Sequence, residues 1–332
     1  MSNRLAPLLD IWFKQKDECQ WVLASIIETK GSSYRKSGAI MLFNSLGKSY
    51  GLLSGGCLES DLLRQAQKCI TKNSNISVCY DMQDEADIAW QLGIGCGGLV
   101  KVLLQPIHKN NNYLDLIELK DLLAQRKQCT YQVNLESSNN HVFTIQSEAN
   151  LNSFFNIKIS PTPSLIVFGG GIDSKPLIKM ANTLGWDITL IDSRPGYARN
   201  AYFNEANAII KQKYKTLTDD VKIQQADAIV IMHHNVNLDA QALNLANNSK
   251  AKYIGLLGPQ HRTEKVFSQA GLTPLTFKKP LANPIGLDLG GELPESIALS
   301  ILSQAHAKIE NSNAKSLGFY QQETIIELAY SN

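Results

Sequence analysis

At 332 residues the chain exceeds the usual span of one compact domain, so its length predicts two domains, each able to bury its own core. Its 32 basic and 30 acidic residues leave a formal net charge of +2 over 19% charged positions, which excludes the basic field that nucleic-acid binding requires. The opening MSNRLAPLLDIWFKQKDECQW has too short an apolar run before Lys14, Lys16, Asp17 and Glu18 for a signal peptide, and no stretch reaches the ~18 apolar residues of a membrane span, so a soluble, cytoplasmic protein is expected.

The six cysteines, Cys19, Cys57, Cys69, Cys79, Cys96 and Cys129, form no C-x-x-C pair and no Cys/His cluster at zinc spacing, which predicts free thiols. All of them lie in the first 129 residues, an asymmetry in keeping with two units.

In chain order, Leu5, Leu8, Leu9, Trp12 and Phe13 recur at helical spacing, and a β-like run covers residues 21–28. Strands follow at 39–43 and 49–53 around a Gly47 turn, then a glycine turn opens a helix near Leu58, and a further strand covers 99–105. Residues 108–160 read as weakly patterned β and loop, an appended part of a first α+β domain spanning 1–160. After Pro161 and Pro163, a strand at 165–168 stops on three glycines. A helical pattern follows (Leu177, Ile178, Ala181, Leu184), then strands at 187–191, 228–232 and 253–257, with a helical stretch at 238–246. Such alternation predicts an α/β domain over 161–332 built on a parallel, doubly wound, Rossmann-like sheet.

Three glycine turns carry the candidate chemistry. Gly169, Gly170 and Gly171 with Ile172, Asp173 and Ser174 fit G-x-G-x-x-[small] between a strand and a helix, and Asp192 ends the next strand about 20 residues on. Glycines there let a phosphate approach the helix N-terminus, and Asp192 would accept from a ribose. Asp173, a carboxylate in the first helical turn, would repel a phosphate at close range. Gly55 and Gly56 would bring the Cys57 thiol to the start of a helix, where the dipole favours thiolate. Cys96 in GCGG is a second thiol framed by glycine, although small buried thiols are as common. Arg35 and Lys36 could meet a phosphate or lie in a solvated loop. His233 and His234 end a parallel strand, the edge where such sheets bind ligands, without an obvious partner. Finally, the glycine-rich loop of residues 284–293, with Asp288 at its centre, leads to a helix starting at Pro294 and suits a ligand lid.

In this order and over most of the chain, GSSYRKSGAIMLF, SGGCLE, CGG, LIVFGGGIDSKPL, LIDSRPGYA, YIGLLGPQHR and PIGLDLGGELPESIALSI resemble the XdhC/CoxI family of xanthine dehydrogenase accessory factors. The resemblance implies a protein that binds molybdenum cofactor (molybdopterin), supports its sulfuration with a cysteine-desulfurase-type sulfur donor and delivers it to a xanthine-dehydrogenase-type molybdenum hydroxylase. It assigns the glycine-framed cysteines to Cys57 and Cys96, and a histidine and aspartate after the fourth Rossmann strand to His234 and Asp239. A second histidine of that region is Val236 here, and the usual Ser or Thr before the last helix is Leu293. The glycine signature by itself also admits an NAD(P)-binding oxidoreductase or a dinucleotide-sensing regulator. The oligomeric state is open, a homodimer included.

Overall fold

The computed structural model describes residues 3–81, 98–144 and 153–318. The chain divides into two units, Met1–Thr162 and Pro163–Asn332.

In the first unit, β1 (Trp21–Lys30), β2 (Ile40–Asn44), β3 (Ser49–Gly51), β4 (Ile76–Asp81) and β5 (Leu99–Ile107) form an antiparallel sheet in the order β3-β2-β1-β5-β4. Residues 21–26 of β1 are all buried, because successive side chains alternate between faces that are both covered. Trp21 and Leu23 pack with Leu8, Leu9 and Trp12 of α1 (Leu5–Gln15). On the opposite face, Val22, Ala24 and Ile26 pack with Leu62, Ala66 and Cys69 of α2 (Glu59–Lys72).

Residues 108–160 hold more order than their sequence announces. Leu116, Leu119, Leu122 and Leu123 make a helix, α3 (Leu116–Ala124), that is buried in the α1 face of the core. Beside it, β6 (Cys129–Asn134), β7 (His141–Phe143) and β8 (Phe154–Ile159) form a separate antiparallel sheet, β7-β6-β8, with Tyr131 and Val133 joining the same core.

The second unit contains β9 (Ser164–Phe168), α4 (Ser174–Thr183), β10 (Asp187–Ile191), β11 (Ala208–Ile210), α5 (Val221–Gln224), β12 (Ala228–Ile231), α6 (Val236–Asn247), β13 (Tyr253–Leu256), α7 (Gln260–Ala270), β14 (Leu281–Ala282) and α8 (Pro294–Ile309). Its six strands are all parallel, in the order β11-β10-β9-β12-β13-β14, the doubly wound arrangement expected from the sequence. Leu165 and Val167 of β9 face α4 and α8, whereas Ile166 and Phe168 face α6 and α7. A strand covered on both faces carries a continuous apolar run, which is why 165–168 showed no alternation. The winding of the chain across the sheet reverses between β9 and β12, and ligands in such folds bind at the carboxyl ends of the strands beside that point.

Among the described residues no helix is long and apolar enough to cross a membrane.

Candidate functional site

At the carboxyl edge between β9 and β12 lies a crevice of about 370 Å³, with Ile172, Asp173, His234, Leu257, Gly258 and Pro294 among its lining residues. Ile172 and Asp173, which directly follow the Gly169, Gly170 and Gly171 turn, line the crevice, and the three glycines answer to different neighbours. A Cβ on Gly169 (φ +117°) would lie 2.6 Å from the Met232 carbonyl oxygen, and one on Gly170 would lie 2.5 Å from the Ala198 nitrogen. Both positions are demanded by the chain's own backbone. At Gly171 the obstacle is the Asp173 carboxylate, 2.5 Å away, a side chain that can turn aside.

Asp192 is fully buried below this turn. Its carboxylate accepts from the Gly170 amide at 2.8 Å, from the Arg194 amide and Nε at 3.0 Å each, and from Arg194 Nη2 at 2.7 Å. Burial pushes its carboxyl up, but the Arg194 guanidinium and the Gly170 N–H more than offset that and hold it below the usual carboxylate range. Arg194 also donates to the His233 carbonyl at 3.2 Å and stacks 3.6 Å from the Tyr197 ring centroid. The acid that sequence reasoning offered to a ribose is engaged inside the protein.

Both histidines after β12 have partners, although none was obvious from the sequence. His233 is buried, with Nδ1 2.8 Å from Asp239 Oδ1 and Nε2 against the Tyr214 hydroxyl. Asp239, also buried, accepts in turn from Arg262, which donates to the Leu257 carbonyl at 3.1 Å. Burial would raise the Asp239 carboxyl, yet His233 and Arg262 hold it below the usual range. His233 thus ties β12 to α6 and α7 and does not line the crevice.

His234 does line it, in a left-handed backbone conformation (φ +56°) with Nε2 2.7 Å from Asp173 Oδ2. The Asp173 hydrogen bond raises the His234 pKa. Asp173, pushed up by burial, is held low by His234. The carboxylate that would repel a phosphate is therefore neutralised by an imidazolium whenever His234 is protonated. Sequence reasoning treated these residues separately; the signal available was that each lies just past a β-strand, Asp173 beyond β9 and His234 beyond β12, and that these two strands are adjacent at the switch point.

In the first unit, Gly55 (φ +76°) and Gly56 (φ +112°) carry the chain through a turn that leaves Cys57 exposed. The turn is clamped by Glu59, which accepts from the Leu53 and Ser54 amides at 3.1 and 2.9 Å and from Ser54 Oγ at 2.5 Å. Ser54 Oγ in turn accepts from the Leu58 amide at 2.7 Å. Cys57 precedes the helix, whose N-cap is Leu58, so it is presented by the turn and not by the first helical residues. Arg35 donates to the Leu52 carbonyl at 3.5 Å, and Lys36 is exposed. Cys96 lies outside the described residues. Asp288 is exposed on the loop before α8, and the Leu293 N-cap makes no side-chain cap. Among the described residues no group of three or more His, Cys, Asp or Glu is placed to hold a metal ion.

Two family models match the chain: residues 165–305 match the XdhC Rossmann domain, and residues 15–81 match the XdhC and CoxI family. A Bacillus subtilis (strain 168) protein, named as a probable xanthine dehydrogenase subunit, is 31% identical over 90% of this chain and 95% of its own length. The chain belongs to the XdhC and CoxI family. A crystal structure described as a xanthine dehydrogenase from Bacillus halodurans superposes with a TM-score of 0.78 at 31% identity, covering 96% of this chain and 98% of that one. The Escherichia coli (strain K12) protein PaoD, named a molybdenum cofactor insertion chaperone, is 22% identical over 85% of this chain and 81% of its own. The XdhC Rossmann domain match spans the glycine turn, Asp192, both histidines, Asp288 and the start of α8. The XdhC and CoxI match contains Cys57 and its Ser54–Glu59 clamp.

Proposed function

We propose that this XdhC/CoxI-family chain is a cytoplasmic maturation factor that takes molybdenum cofactor as cargo. It supports sulfuration of the cargo with a cysteine-desulfurase-type partner and hands it to a xanthine-dehydrogenase-type hydroxylase. The names of its Bacillus and Escherichia relatives point the same way. The observation that carries the reading is the engagement of Asp192: the unit keeps a glycine turn and an open crevice, but the acid that would hold an adenosine ribose is buried under Arg194.

The residues suit a phosphorylated pterin. Among the described residues the Gly171 and Ile172 amides have no acceptor, so the turn offers N–H groups to a phosphate. A crevice of about 370 Å³ walled by Ile172, Leu257 and Pro294 suits a flat heterocycle, with His234 at its side. The exposed Cys57 thiol is a soft ligand of the kind that molybdenum and persulfide chemistry use, and Cys96 is a second such candidate. Nicotinamide dinucleotide is the competing ligand, since the His234–Asp173 pair would supply a proton donor at the crevice.

The test is to purify the chain from a molybdenum-replete host and measure bound molybdenum, bound pterin after oxidation to its fluorescent form, and bound nicotinamide. Pterin with molybdenum and without nicotinamide is the expected result. Nicotinamide without pterin would return the protein to the oxidoreductase class.

A further inference from the structure

Of the residues that line the crevice, only Asp173 and His234 carry titratable side chains; Leu177, Met232, Leu257, Ile297 and Ile301 keep the rest of the wall apolar. The charged end of a ligand seated there therefore meets this pair.

The pair is not neutral toward the glycine turn. Asp173 Oδ1 lies 2.5 Å from the position of a Cβ on Gly171, so the carboxylate fills the space that the glycine leaves open, while Oδ2 takes His234 Nε2 at 2.7 Å. A phosphate that approaches the turn on this side meets a second anion in a partly buried place, where like charges repel strongly. One of the two has to move. The turn cannot, because Gly169 and Gly170 are pressed against the backbone of Met232 and Ala198. The carboxylate can: Asp173 is the N-cap of α4 but makes no side-chain cap bond to it, and its partner His234 has a side chain that is 63% exposed. An exposed partner of this kind holds a carboxylate weakly. Once Asp173 turns away, the His234 Nε2–H is left to donate to the incoming phosphate, one charge-assisted bond replacing another.

We infer that Asp173 is the specificity-determining gate of the crevice: its carboxylate holds the place beside Gly171 that the ligand's phosphate takes, and the phosphate displaces it and takes over His234. The gate rests on the phosphate reading of the glycine turn and adds a selection to it. A ligand enters only if its anion binds the turn better than the chain's own carboxylate does, which favours a doubly charged phosphate ester over a carboxylate or an unphosphorylated heterocycle.

Inorganic sulfate, a phosphate-shaped dianion that does not titrate in the working range, is the probe. It is titrated into the full chain at constant ionic strength while the Gly171 amide and the His234 imidazole are followed by NMR. The measurement is made at about pH 5.5, below the ordinary imidazole value of ~6.5, so that His234 is protonated with or without its partner. Asp173, held low, stays ionised there, and the other charged groups acting on His234, Arg262 and Asp239, oppose one another. Asp173→Asn should bind sulfate about tenfold more tightly than the wild type, the factor expected of a carboxylate in place roughly nine-tenths of the time. Asp173→Ser, with a shorter side chain, should gain as much. Glu295→Gln removes a negative charge beside Ile172 and Pro294 without touching the turn and should stay within about twofold of the wild type. Equal affinities in the wild type and both Asp173 variants, with Gly171 and His234 shifting in all three, would overturn the gate and leave the phosphate reading standing. An equal gain in Glu295→Gln would overturn it too, since charge alone would then explain the effect. No sulfate-dependent shift at Gly171 in any of these proteins would overturn the phosphate reading of the turn and the gate with it.

Discussion

Asp192 and Gly170, 22 residues apart in sequence, are joined by a 2.8 Å hydrogen bond from the glycine amide to the buried carboxylate. The bond fastens the β10 end to the glycine turn after β9, and Arg194 donates to the same carboxylate. Replacing Asp192 with Ala would strand a largely buried guanidinium and an amide, so Asp192→Ala should lose about 3 kcal/mol of stability in urea denaturation. A residue free to hold a ribose would instead show unchanged stability and weakened nicotinamide binding.

The glycines should separate by role. Gly170→Ala should destabilise by about 2 kcal/mol or more, since its Cβ meets the Ala198 backbone at 2.5 Å. Gly171→Ala should fold nearly normally, because the Asp173 carboxylate can rotate away, but that rotation breaks the bond to His234. A His234 pKa lower in Gly171→Ala than in the wild type, with thermal unfolding little changed, is the expected pair of results.

The His234–Asp173 pair makes a signed pH prediction. His234 is raised by its bond to Asp173, so the stability it contributes is fully present below its unfolded value of ~6.5 and disappears as pH rises through the folded value. Asp173 is lowered, so its contribution is present above ~3.9 and disappears as pH falls through its folded value. Both groups are charged between those limits. NMR titration should place the His234 imidazole above ~6.5, and Asp173→Asn should return it toward that value. An imidazole that titrates identically in both proteins would mean the pair does not form in solution.

Thiol reactivity follows exposure. Cys57 should alkylate fast, whereas Cys69 should be slow because burial pushes its thiol up to about 12. Cys79, in β4, reads as a buried strand residue from sequence, but it is exposed and should also react readily. The reason is that β4 is an edge strand, and period-2 alternation turns Cys79 outward while its neighbour Tyr80 is buried. Cys57→Ala should retain the fold, since an exposed sulfur leaves no cavity, yet lower hydroxylase maturation. Peptide mapping after brief iodoacetamide treatment and urea denaturation of the variant check both parts.

The doubly wound sheet was legible because buried parallel strands are short apolar runs ended by glycine, as at 165–168, and because helical spacing around Leu177 and Ala298 is plain. The helix Leu116–Ala124 was not, since its four leucines sit between Asn-rich and Gln-rich flanks that read as loop. The site was legible in position but not in connection. Asp192 stood where a ribose acid stands, and nothing local announced that Arg194, two residues on, would occupy it. Asp173, the partner of His234, became visible only once β9 and β12 were adjacent, whereas Asp239 reaches His233 from the first turn of α6, six residues on.

The central claim is that this chain delivers molybdenum cofactor, and the direct measurement is reconstitution of a cofactor-free xanthine-dehydrogenase-type hydroxylase. The cofactor-loaded chain should restore substrate oxidation, with Cys57→Ala restoring markedly less, and the chain alone should turn over no NAD(P)H. Hydroxylase activity that is the same with and without the chain, or steady NAD(P)H turnover by the chain itself at above about 1 per second, would contradict the account.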